Sequence, residues 1–419
     1  MSTPIELAYG RSVVTFTCDE DQFSLISDQE ASETPLTDFA AGAALDSSIG
    51  SPPLDEIIDS SDSVLIVVSD ATRATASAQV VNLLVRRLVQ IGVSPAHMGV
   101  IFATGIHRAV SEQEKMELLT PFVVQRLKVL QHDAYDAAKL SSFGTTASGF
   151  AVELSSALQE YSRVIVIGGI NFHYFAGFTG GRKSICPGLA SAKTIKSTHM
   201  LALDFETGGR KVGVGTGLLD GNAVHEECER VAELVEPAFG INTIVNEQKR
   251  AVKLFCGDWR RAHRAACEHY LERHSVSVAA KRDVVIVSCG GFRYDINLIQ
   301  AHKALEMASY ACKDGGTIVL LAECRDGLGR ADFMKWFESG NSRALADRLR
   351  NEYEVNGQTA WALLTKAERY RICLISQLPD EPVKRMRMIP ARSLEEALAG
   401  ARDQAGFLMP CGAAVLPQT

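Results

Sequence analysis

Short apolar runs alternate with amphipathic segments along most of the chain. The most continuous runs predict buried strands at residues 64–68, 98–102, 164–167, 284–287, 317–321 and 372–375. Such unbroken apolar character is typical of strands that are covered on both faces of a parallel sheet. Between them, residues 78–91 show apolar positions at helical spacing, and the capping box Ser111-Glu-Gln-Glu114 predicts the start of another helix. The alternation predicts an α/β fold with two doubly wound domains of the parallel-sheet type.

The best candidate for a domain boundary lies near residues 270–282, where a charged helical segment gives way to a new strand. A chain of 419 residues is long enough for two or three domains, each with its own core. We predict an N-terminal α/β domain over residues 1–275 and a C-terminal α/β domain over residues 276–405. The tail of about residues 406–419 is expected to pack back on the N-terminal domain.

The overall composition narrows the class of protein. A formal charge of −7 argues against a nucleic-acid partner, which needs a basic face. No apolar run approaches the roughly 20 residues of a membrane span. The first residues also lack the basic start and long apolar core of a signal peptide. We therefore expect a cytoplasmic protein with neither a nucleic-acid nor a membrane partner.

The ten cysteines include no C-x-x-C pair. This spacing favours neither a disulfide framework nor a thiolate zinc site. We interpret most of them as small buried apolar residues. Cys186 and Cys289 are singled out because both lie in candidate active-site loops.

Polar side chains gather after four of the predicted strands, in residues 69–73, 103–108, 168–199 and 288–303. The carboxyl ends of parallel strands open on one edge of a sheet, and ligands of open α/β sheets bind there. Two such domains facing each other would enclose a cleft, and we expect the active site in it. The side chains predicted to line this cleft are His107, His173, His199, Arg73 and Lys303.

The segment 168–199 is the most informative, because it combines two histidines, a glycine-rich turn and Lys183 directly after a strand. Residues 177–184 invite comparison with the phosphate-binding G-x-x-x-x-G-K-[ST] loop. Arg182 stands where that loop requires its last glycine, and a side chain there would crowd the phosphate nest. An NTPase is therefore disfavoured.

Each of these residues also has a purely structural interpretation. A lone histidine is more often a hydrogen-bonding structural residue than a catalyst. Arg73 could pair with Asp70, although Thr72 and Thr75 make an anion-binding turn at least as plausible. Gln300 and Lys303 are three apart on a predicted helix and share a face, which suits a carboxylate or hydroxyl ligand and equally a solvated surface.

The chain resembles the nickel-dependent lactate racemase family, whose members use a nickel-pincer nucleotide. The resemblance runs through nearly the whole chain in order, and its central block is highly specific. It is carried by Asp70–Arg73, ATGIHR (103–108), HYFAGFTGGRKSICPG (173–188), His199, NAVHE (222–226) and GGFRYDINLIQAHKA (290–304).

The resemblance implies that the nickel-pincer nucleotide is attached to Lys183 through a thioamide and that His199 is the protein ligand to nickel. It implies that separate enzymes synthesise this cofactor. His107 and His173 would be the acid/base pair. The remaining implied roles are substrate binding by Arg73, Gln300 and Lys303, and nucleotide positioning by Asp70, Thr72, Gly180 and Gly181.

These roles suit the racemisation of a 2-hydroxy acid. The hydrogen on Cα beside a carboxylate is a very weak acid, so it leaves more easily as hydride while a base takes the hydroxyl proton. The cofactor ring would accept this hydride. Imidazole suits the base role because its ordinary pKa lies near neutrality.

Two departures from the family pattern stand out. Ala74 follows Arg73 where proline is common, which affects loop stiffness more than chemistry. Arg293 lies in a variable position, and we hypothesise that it favours a substrate larger or more acidic than lactate. Trp361 is either a substrate-side contact or a core residue.

Two other function classes stay open. A metal-dependent hydrolase could use the same histidines, but it would need a third ligand at metal spacing, which these loops do not offer. A non-catalytic nucleotide-binding or sensor protein would not require two acid/base histidines. The identity of the 2-hydroxy acid also stays open, and the reaction could equally be the epimerisation of a sugar acid.

Overall fold

The computed structural model describes residues 2–27, 34–401 and 404–419. Its strands are β1 (Ser2–Tyr9), β2 (Ser12–Asp19), β3 (Phe23–Leu25), β4 (Ser48–Ile49), β5 (Val64–Ser69), β6 (Met98–Ala103), β7 (Lys128–Gln131), β8 (Leu140–Thr145), β9 (Ala151–Ser155), β10 (Arg163–Gly169), β11 (Phe172–His173), β12 (Gly177–Phe178), β13 (Phe239–Val245), β14 (Ala251–Gly257), β15 (Ser275–Ser277), β16 (Arg282–Ser288), β17 (Cys312–Leu321), β18 (Arg371–Ile375), β19 (Ile389–Ala391), β20 (Gly406–Met409) and β21 (Leu416–Gln418). Its helices are α1 (Asp38–Asp46), α2 (Leu54–Ile57), α3 (Ser77–Ile91), α4 (Glu112–Val124), α5 (Ala192–Met200), α6 (Ala223–Glu233), α7 (Trp259–His274), α8 (Leu298–Ala311), α9 (Ser342–Asn351), α10 (Val355–Arg369), α11 (Asp380–Arg385) and α12 (Leu394–Ala397).

The described chain divides into two compact units. The seven-stranded unit comprises residues 34–202 and 212–271. The six-stranded unit comprises residues 2–27, 203–211, 272–401 and 404–419. Over these described ranges, no helix is both long enough and apolar enough to cross a membrane.

The seven-stranded unit is built on a sheet with the strand order β4-β14-β13-β10-β5-β6-β7. The pairs from β13 to β7 are parallel, and β14 runs antiparallel to β13. The chain passes from β5 outward to β6 and β7 and then returns to place β10 on the other side of β5. The order of strands therefore reverses between β5 and β10, and such a switch point leaves a crevice at the carboxyl ends of the two strands.

Apolar side chains fill this unit as the sequence pattern predicts. Val64, Ile66 and Val68 of β5 are fully buried in one core cluster with the inner face of α3. Helix α3 ends at Gly92, whose left-handed conformation (φ 105°) closes the last turn. The predicted capping box is also confirmed, because Ser111 and Glu114 exchange side-chain and backbone hydrogen bonds at the start of α4.

The six-stranded unit has an all-parallel sheet with the strand order β19-β18-β17-β16-β20-β3. Its order reverses between β16 and β20, so the loop that follows β16 lies at a second switch point. All six predicted strands are confirmed, as β5, β6 and β10 of one sheet and β16, β17 and β18 of the other.

The chain ends are arranged differently from the prediction. Residues 406–409, expected to pack on the N-terminal domain, form β20 and pair with β16 in the six-stranded unit. Strand β3 pairs with β20, so residues 23–25 join the same unit rather than the predicted domain of residues 1–275. The physical reason is strand pairing between distant parts of the chain, for which the local sequence carries no signal.

Residues 203–211 also belong to the six-stranded unit, where a buried charge cluster holds them. Both Glu306 carboxylate oxygens accept from Arg210, at 2.6 and 3.0 Å, and Lys366 forms a further ion pair with Glu306. Burial alone would raise the pKa of Glu306, but the positive charges of Arg210 and Lys366 outweigh it and hold the pKa well below its ordinary value. Glu306 is therefore the anion that compensates two largely buried cations.

We predict that Glu306→Gln destabilises the protein by about 3–5 kcal/mol, because it leaves both cations without a counter-charge. The depressed pKa means that the Glu306 contribution is present above the ordinary glutamate pKa of about 4.3 and is lost as the pH falls toward the folded-state value. Urea unfolding at pH 7 and at pH 3.5 should show that the difference in the free energy of unfolding between wild type and variant is smaller at pH 3.5. Asp332→Asn, which removes an exposed ion pair with Arg330, is the control and should cost under about 1 kcal/mol. A difference in the free energy of unfolding that does not depend on pH would contradict the role of Glu306 as the counter-charge.

Candidate active site

Three polar loops leave the carboxyl edge of the seven-stranded sheet beside its switch point. Residues 70–73 follow β5, His107 follows β6, and the segment from His173 to Lys183 follows β10. Because β10, β5 and β6 are neighbouring parallel strands, their loops emerge side by side. The sequence prediction that these residues share one sheet edge is confirmed for this unit.

Asp70 and His107 form a hydrogen-bonded pair across two of these loops. His107 Nδ1 lies 2.7 Å from Asp70 Oδ2, while Asp70 Oδ1 accepts from the Thr72 amide and hydroxyl. Burial tends to raise the pKa of the Asp70 carboxyl, but the hydrogen bonds from His107 and Thr72 outweigh it and keep the pKa below its ordinary value. An ionised carboxylate only accepts, so His107 carries its proton on Nδ1. The Nδ1 tautomer places a lone pair on Nε2, and the side chain is 46 % exposed.

Arg73 does not pair with Asp70 through its side chain. Its backbone amide donates to the Asp70 carbonyl oxygen at 3.1 Å. The exposed guanidinium makes no hydrogen bond or ion pair with any residue in the described parts of the chain. Its fork of donors is thus available for an anion, and a carboxylate fits that fork in a bidentate manner.

The Phe175 ring brings together three of the predicted site residues. It meets the His173 ring edge-on at 4.5 Å and the His199 ring at 5.0 Å, measured between centroids. The Lys183 ammonium nitrogen lies 5.7 Å from the same centroid. Phe175 itself is buried, at 3 % exposure. One apolar ring therefore fixes the spacing of His173, Lys183 and His199.

His173 is held in the opposite tautomer to His107. The Ala176 amide donates to His173 Nδ1 at 3.3 Å, so this nitrogen bears the lone pair and Nε2 bears the proton in the neutral ring. Burial first, and then the positive charges of Lys183 and Arg73, keep the pKa of His173 well below its usual value. His173 is therefore a neutral donor at pH 7, a form that can polarise a substrate oxygen.

Lys183 is a largely buried amine. Burial, followed by the charges of Arg182 and Arg73, lowers its pKa to about 7. Its ammonium group makes no hydrogen bond or ion pair with the residues that the structure describes. A lysine in this setting is in part the neutral, nucleophilic amine at physiological pH.

His199 lies in the last turn of α5, which Ser191 caps. The side chain is 6 % exposed, and burial together with the charge of Lys183 lowers its pKa to about 3. The ring is therefore neutral across the physiological range. Neutral imidazole is the form that binds transition metals.

Gly180 and Gly181 have packing reasons to be glycine. A Cβ on Gly181 would lie 2.6 Å from the His263 ring, and one on Gly180 would lie 2.6 Å from the Ile170 side chain. The Gly181 amide donates to Asn242 Oδ1 at 2.9 Å. These contacts hold the loop against the sheet, and nucleotide positioning by the two glycines stays a prediction.

Gln300 and Lys303 lie in the six-stranded unit, on the first turns of α8, which follows the switch-point strand β16. Lys303 Nζ donates to Gln300 Oε1 at 2.8 Å, so the predicted shared face is confirmed. Arg293, in the preceding loop, is exposed and adopts a positive φ of 92°. Trp361 is fully buried and donates to the Gly208 carbonyl oxygen at 3.0 Å, which supports the core interpretation of this residue.

Comparison with known proteins shows the family to which the chain belongs. Family models for the lactate racemase N-terminal domain and the lactate racemase C-terminal domain match residues 9–208 and 277–415. A curated lactate racemase from Thermoanaerobacterium thermosaccharolyticum is 30 % identical over 403 residues, covering 94 % of this chain and 93 % of that protein. A second, from Lactiplantibacillus plantarum, is 29 % identical over 411 residues, covering 96 % and 95 %. The chain belongs to the lactate racemase family.

Solved structures add to this assignment. The lactate racemase apoprotein from Thermoanaerobacterium thermosaccharolyticum is 28 % identical, with a TM-score of 0.90 and full coverage of both chains. A protein from Thermotoga maritima, 18 % identical with a TM-score of 0.66, covers 92 % of this chain and 98 % of its own and shows the fold alone. The predicted family and α/β fold class are confirmed. As a member of the lactate racemase family the chain is an isomerase of the racemase type.

The sequence pattern did not predict two features of the candidate site. Phe175 was not singled out, although it stands between His173 and Lys183 in the most specific block. The hydrogen bond between Asp70 and His107 was not predicted either, and the predicted role of Asp70 in positioning a nucleotide stays a prediction. The available signal was that residues 70 and 107 follow adjacent parallel strands and so lie close together. A carboxylate beside a histidine commonly orients the imidazole ring.

We predict that Lys183 of the cofactor-free protein reacts with an amine-specific acylating reagent with half-maximal rate near pH 7. The reason is that only the neutral amine attacks, and its pKa is lowered to about 7, whereas ordinary lysines ionise near 10.4. Peptide mass spectrometry over a pH series measures the rate. Urea-denatured protein is the control, since unfolding removes the burial. A Lys183 profile identical in the folded and denatured protein would refute the prediction.

Asp70→Asn is expected to lower kcat/KM for racemisation by about 100- to 10,000-fold, because an amide can favour the wrong His107 tautomer and carries no charge to stabilise the imidazolium. A chiral assay of cofactor-loaded protein, with lactate as the probe, measures this loss. Asp220→Asn, which changes an exposed carboxylate of the same unit, should stay near wild type. Near-normal activity of Asp70→Asn would show that the pair with His107 is not needed.

Proposed function

We propose that this protein is a racemase or epimerase of a 2-hydroxy acid and that it uses a nickel-pincer nucleotide bound covalently to Lys183. The observation that carries the proposal is the shared contact of His173, Lys183 and His199 with the Phe175 ring at the switch-point edge. Curated relatives named lactate racemase support the reaction class.

The residues present fit this cofactor. Lys183 offers an amine with a pKa of about 7 for a covalent bond, and His199 offers a neutral imidazole for one metal coordination position. Within the described ranges, no group of three or more His, Cys, Asp or Glu side chains is arranged to hold a metal ion. A metal whose other donors come from the cofactor needs only one protein ligand, which agrees with this donor set. When bound, the cofactor supplies a hydride acceptor.

The chain's own residues would handle the proton and the carboxylate. Arg73 binds the substrate carboxylate and limits its rotation. His107 Nε2 takes the hydroxyl proton of one enantiomer while His173 donates to the substrate oxygen. For the mirror-image substrate the two rings exchange roles, so His173 must give up its hydrogen bond to the Ala176 amide. Gln300 and Lys303 bind substrate oxygens.

The proposal includes several finer points. The nucleotide is positioned by Asp70, Thr72, Gly180 and Gly181, and separate enzymes make the cofactor. The protein acts in the cytoplasm. Lactate is the first substrate to test, since both curated relatives are named for it. Larger, aromatic, dicarboxylic and sugar acids belong to the same chemical class.

The two alternatives have less support. A hydrolase of the zinc type needs three protein ligands, and the described residues offer no such cluster. A sensor would need only to bind its ligand. The Asp70–His107 pair and the depressed pKa of Lys183 and His173 are instead the features of groups arranged for proton transfer and bond formation.

The experiment is an isotope test with cofactor-loaded protein, made together with the cofactor-synthesis enzymes. D-Lactate deuterated at Cα should give L-lactate that keeps most of its deuterium in ordinary water, because hydrogen that leaves as hydride does not exchange with solvent. Chiral chromatography with mass detection measures the amount of L-lactate and the fraction of it that keeps deuterium. Extensive wash-out would instead indicate proton abstraction and would overturn the hydride-transfer proposal.

Lys183→Ala is the matched control for this test. It should lack the nucleotide-sized mass adduct in intact-mass analysis and should not racemise lactate. The His107→Asn protein should keep the adduct and lose turnover, which separates attachment from proton transfer. Racemisation by the Lys183→Ala protein would refute attachment at this residue.

A further inference from the structure

Arg182 is a fully buried cation directly beside Lys183, at 1 % exposure. Its Nη2 donates to the Ala176 carbonyl oxygen at 2.6 Å. Its Nη1 donates to the Gly180 carbonyl oxygen at 3.3 Å and lies 3.0 Å from His263 Nε2. The planar fork thus bridges both ends of the turn that separates Phe175 from Lys183.

These two carbonyl groups connect Arg182 to site residues on either side. Ala176 accepts from Arg182 through its carbonyl oxygen, and its amide, in the adjoining peptide group, donates to His173 Nδ1. The Gly180 carbonyl oxygen also accepts from the backbone amide of Lys183, at 3.0 Å. One guanidinium therefore holds both the hydrogen bond that sets the His173 tautomer and the turn that carries Lys183.

The charge of Arg182 has no direct counter-charge. In the described residues no carboxylate forms an ion pair or hydrogen bond with it, and its Nε has no hydrogen-bond partner. Its polar neighbour His263 is kept neutral, because burial and the charge of Arg182 lower the pKa of that ring to about 3. A buried cation without a counter-ion costs several kcal/mol, and an apolar residue could fill the space without this cost.

We infer that Arg182 is a positioning residue for the site, which orients His173 through the backbone of Ala176 and places Lys183 for cofactor attachment through the Gly180 carbonyl. Arg182 is buried behind the loop, so it acts through these two residues rather than on the substrate. The inference rests on the proposed function for the meaning of attachment and turnover. The hydrogen-bond geometry itself does not depend on that function.

Two substitutions test the inference. Arg182→Lys keeps the buried charge and most of the volume but replaces the planar two-nitrogen fork with a single ammonium nitrogen, so it is the variant best suited to fold. Arg182→Gln removes the charge and shortens the side chain. Arg264→Gln is the matched control, because it removes a cation of α7 that pairs with exposed Asp220 and does not touch the loop. Thermal unfolding of each protein reports how much of it is folded.

The first readout is the mass adduct after production with the cofactor-synthesis enzymes. Arg182→Gln should carry the adduct in about tenfold fewer molecules, and its adduct-bearing fraction should lose about 10- to 100-fold in kcat with KM within about threefold, as expected for misplaced rather than missing groups. Arg182→Lys should show the same changes to a smaller extent. Arg264→Gln should match wild type in both measurements.

The second readout needs no cofactor. In protein labelled with nitrogen-15 histidine, the His173 imidazole shifts should report the tautomer with Nε2 protonated in the wild type. In Arg182→Lys they should report a mixture of tautomers. A folded Arg182→Lys protein with wild-type adduct, kcat and His173 shifts would overturn the inference. So would an adduct loss that only follows the folded fraction while the His173 shifts stay unchanged.

The outcomes also separate this inference from the proposed function. Wild-type protein without an adduct or racemase activity would count against the proposed function, while the tautomer comparison would still test Arg182. Normal wild-type activity with no effect of either substitution would count against the Arg182 inference alone.

Discussion

The close approach of the loop after β10 to its own strand is the constraint on which the site depends. A Cβ on Gly168 would lie 2.7 Å from the Gly180 Cα, so neither position leaves room for a side chain. The loop is held there by Ser184, whose hydroxyl donates to the Ile167 carbonyl oxygen at 3.2 Å. The chain therefore leaves the sheet edge, turns at Phe175 and comes back to place Lys183 over the strand it left.

This return brings positive charges together with little compensation. The charges of Lys183, Arg73 and Arg182 all lower the pKa of His173, and Asp70 is hydrogen-bonded to His107. Burial of the Arg182 and Lys183 charges and neutralisation of the buried histidines each cost folding free energy. The cost is offset by the core beneath, where continuous apolar strands pack against α3 and α4. Such a balance is typical of active sites, where local arrangement departs from what stability alone would favour.

Much of the fold was predictable because its signals are local. The strands β5, β6 and β10 are apolar runs that need no partner to be recognised, and parallel pairing then brings the residues after them to one edge. The placement of His107 and His173 beside one switch point follows from this rule. Membership of the lactate racemase family was predictable from the specific block of residues 173–188.

The rest depended on contacts between distant residues. Strand β3 is three residues long and joins the sheet only through β20. The roles of Phe175 and Arg182 arise from a loop that folds back, so that residue 182 reaches the carbonyl group of residue 176. A basic residue next to Lys183 looks like ordinary surface charge in the sequence, and only its 1 % exposure distinguishes it. Burial of a charge is a property of the whole chain, so it cannot be predicted from a local pattern of residue types.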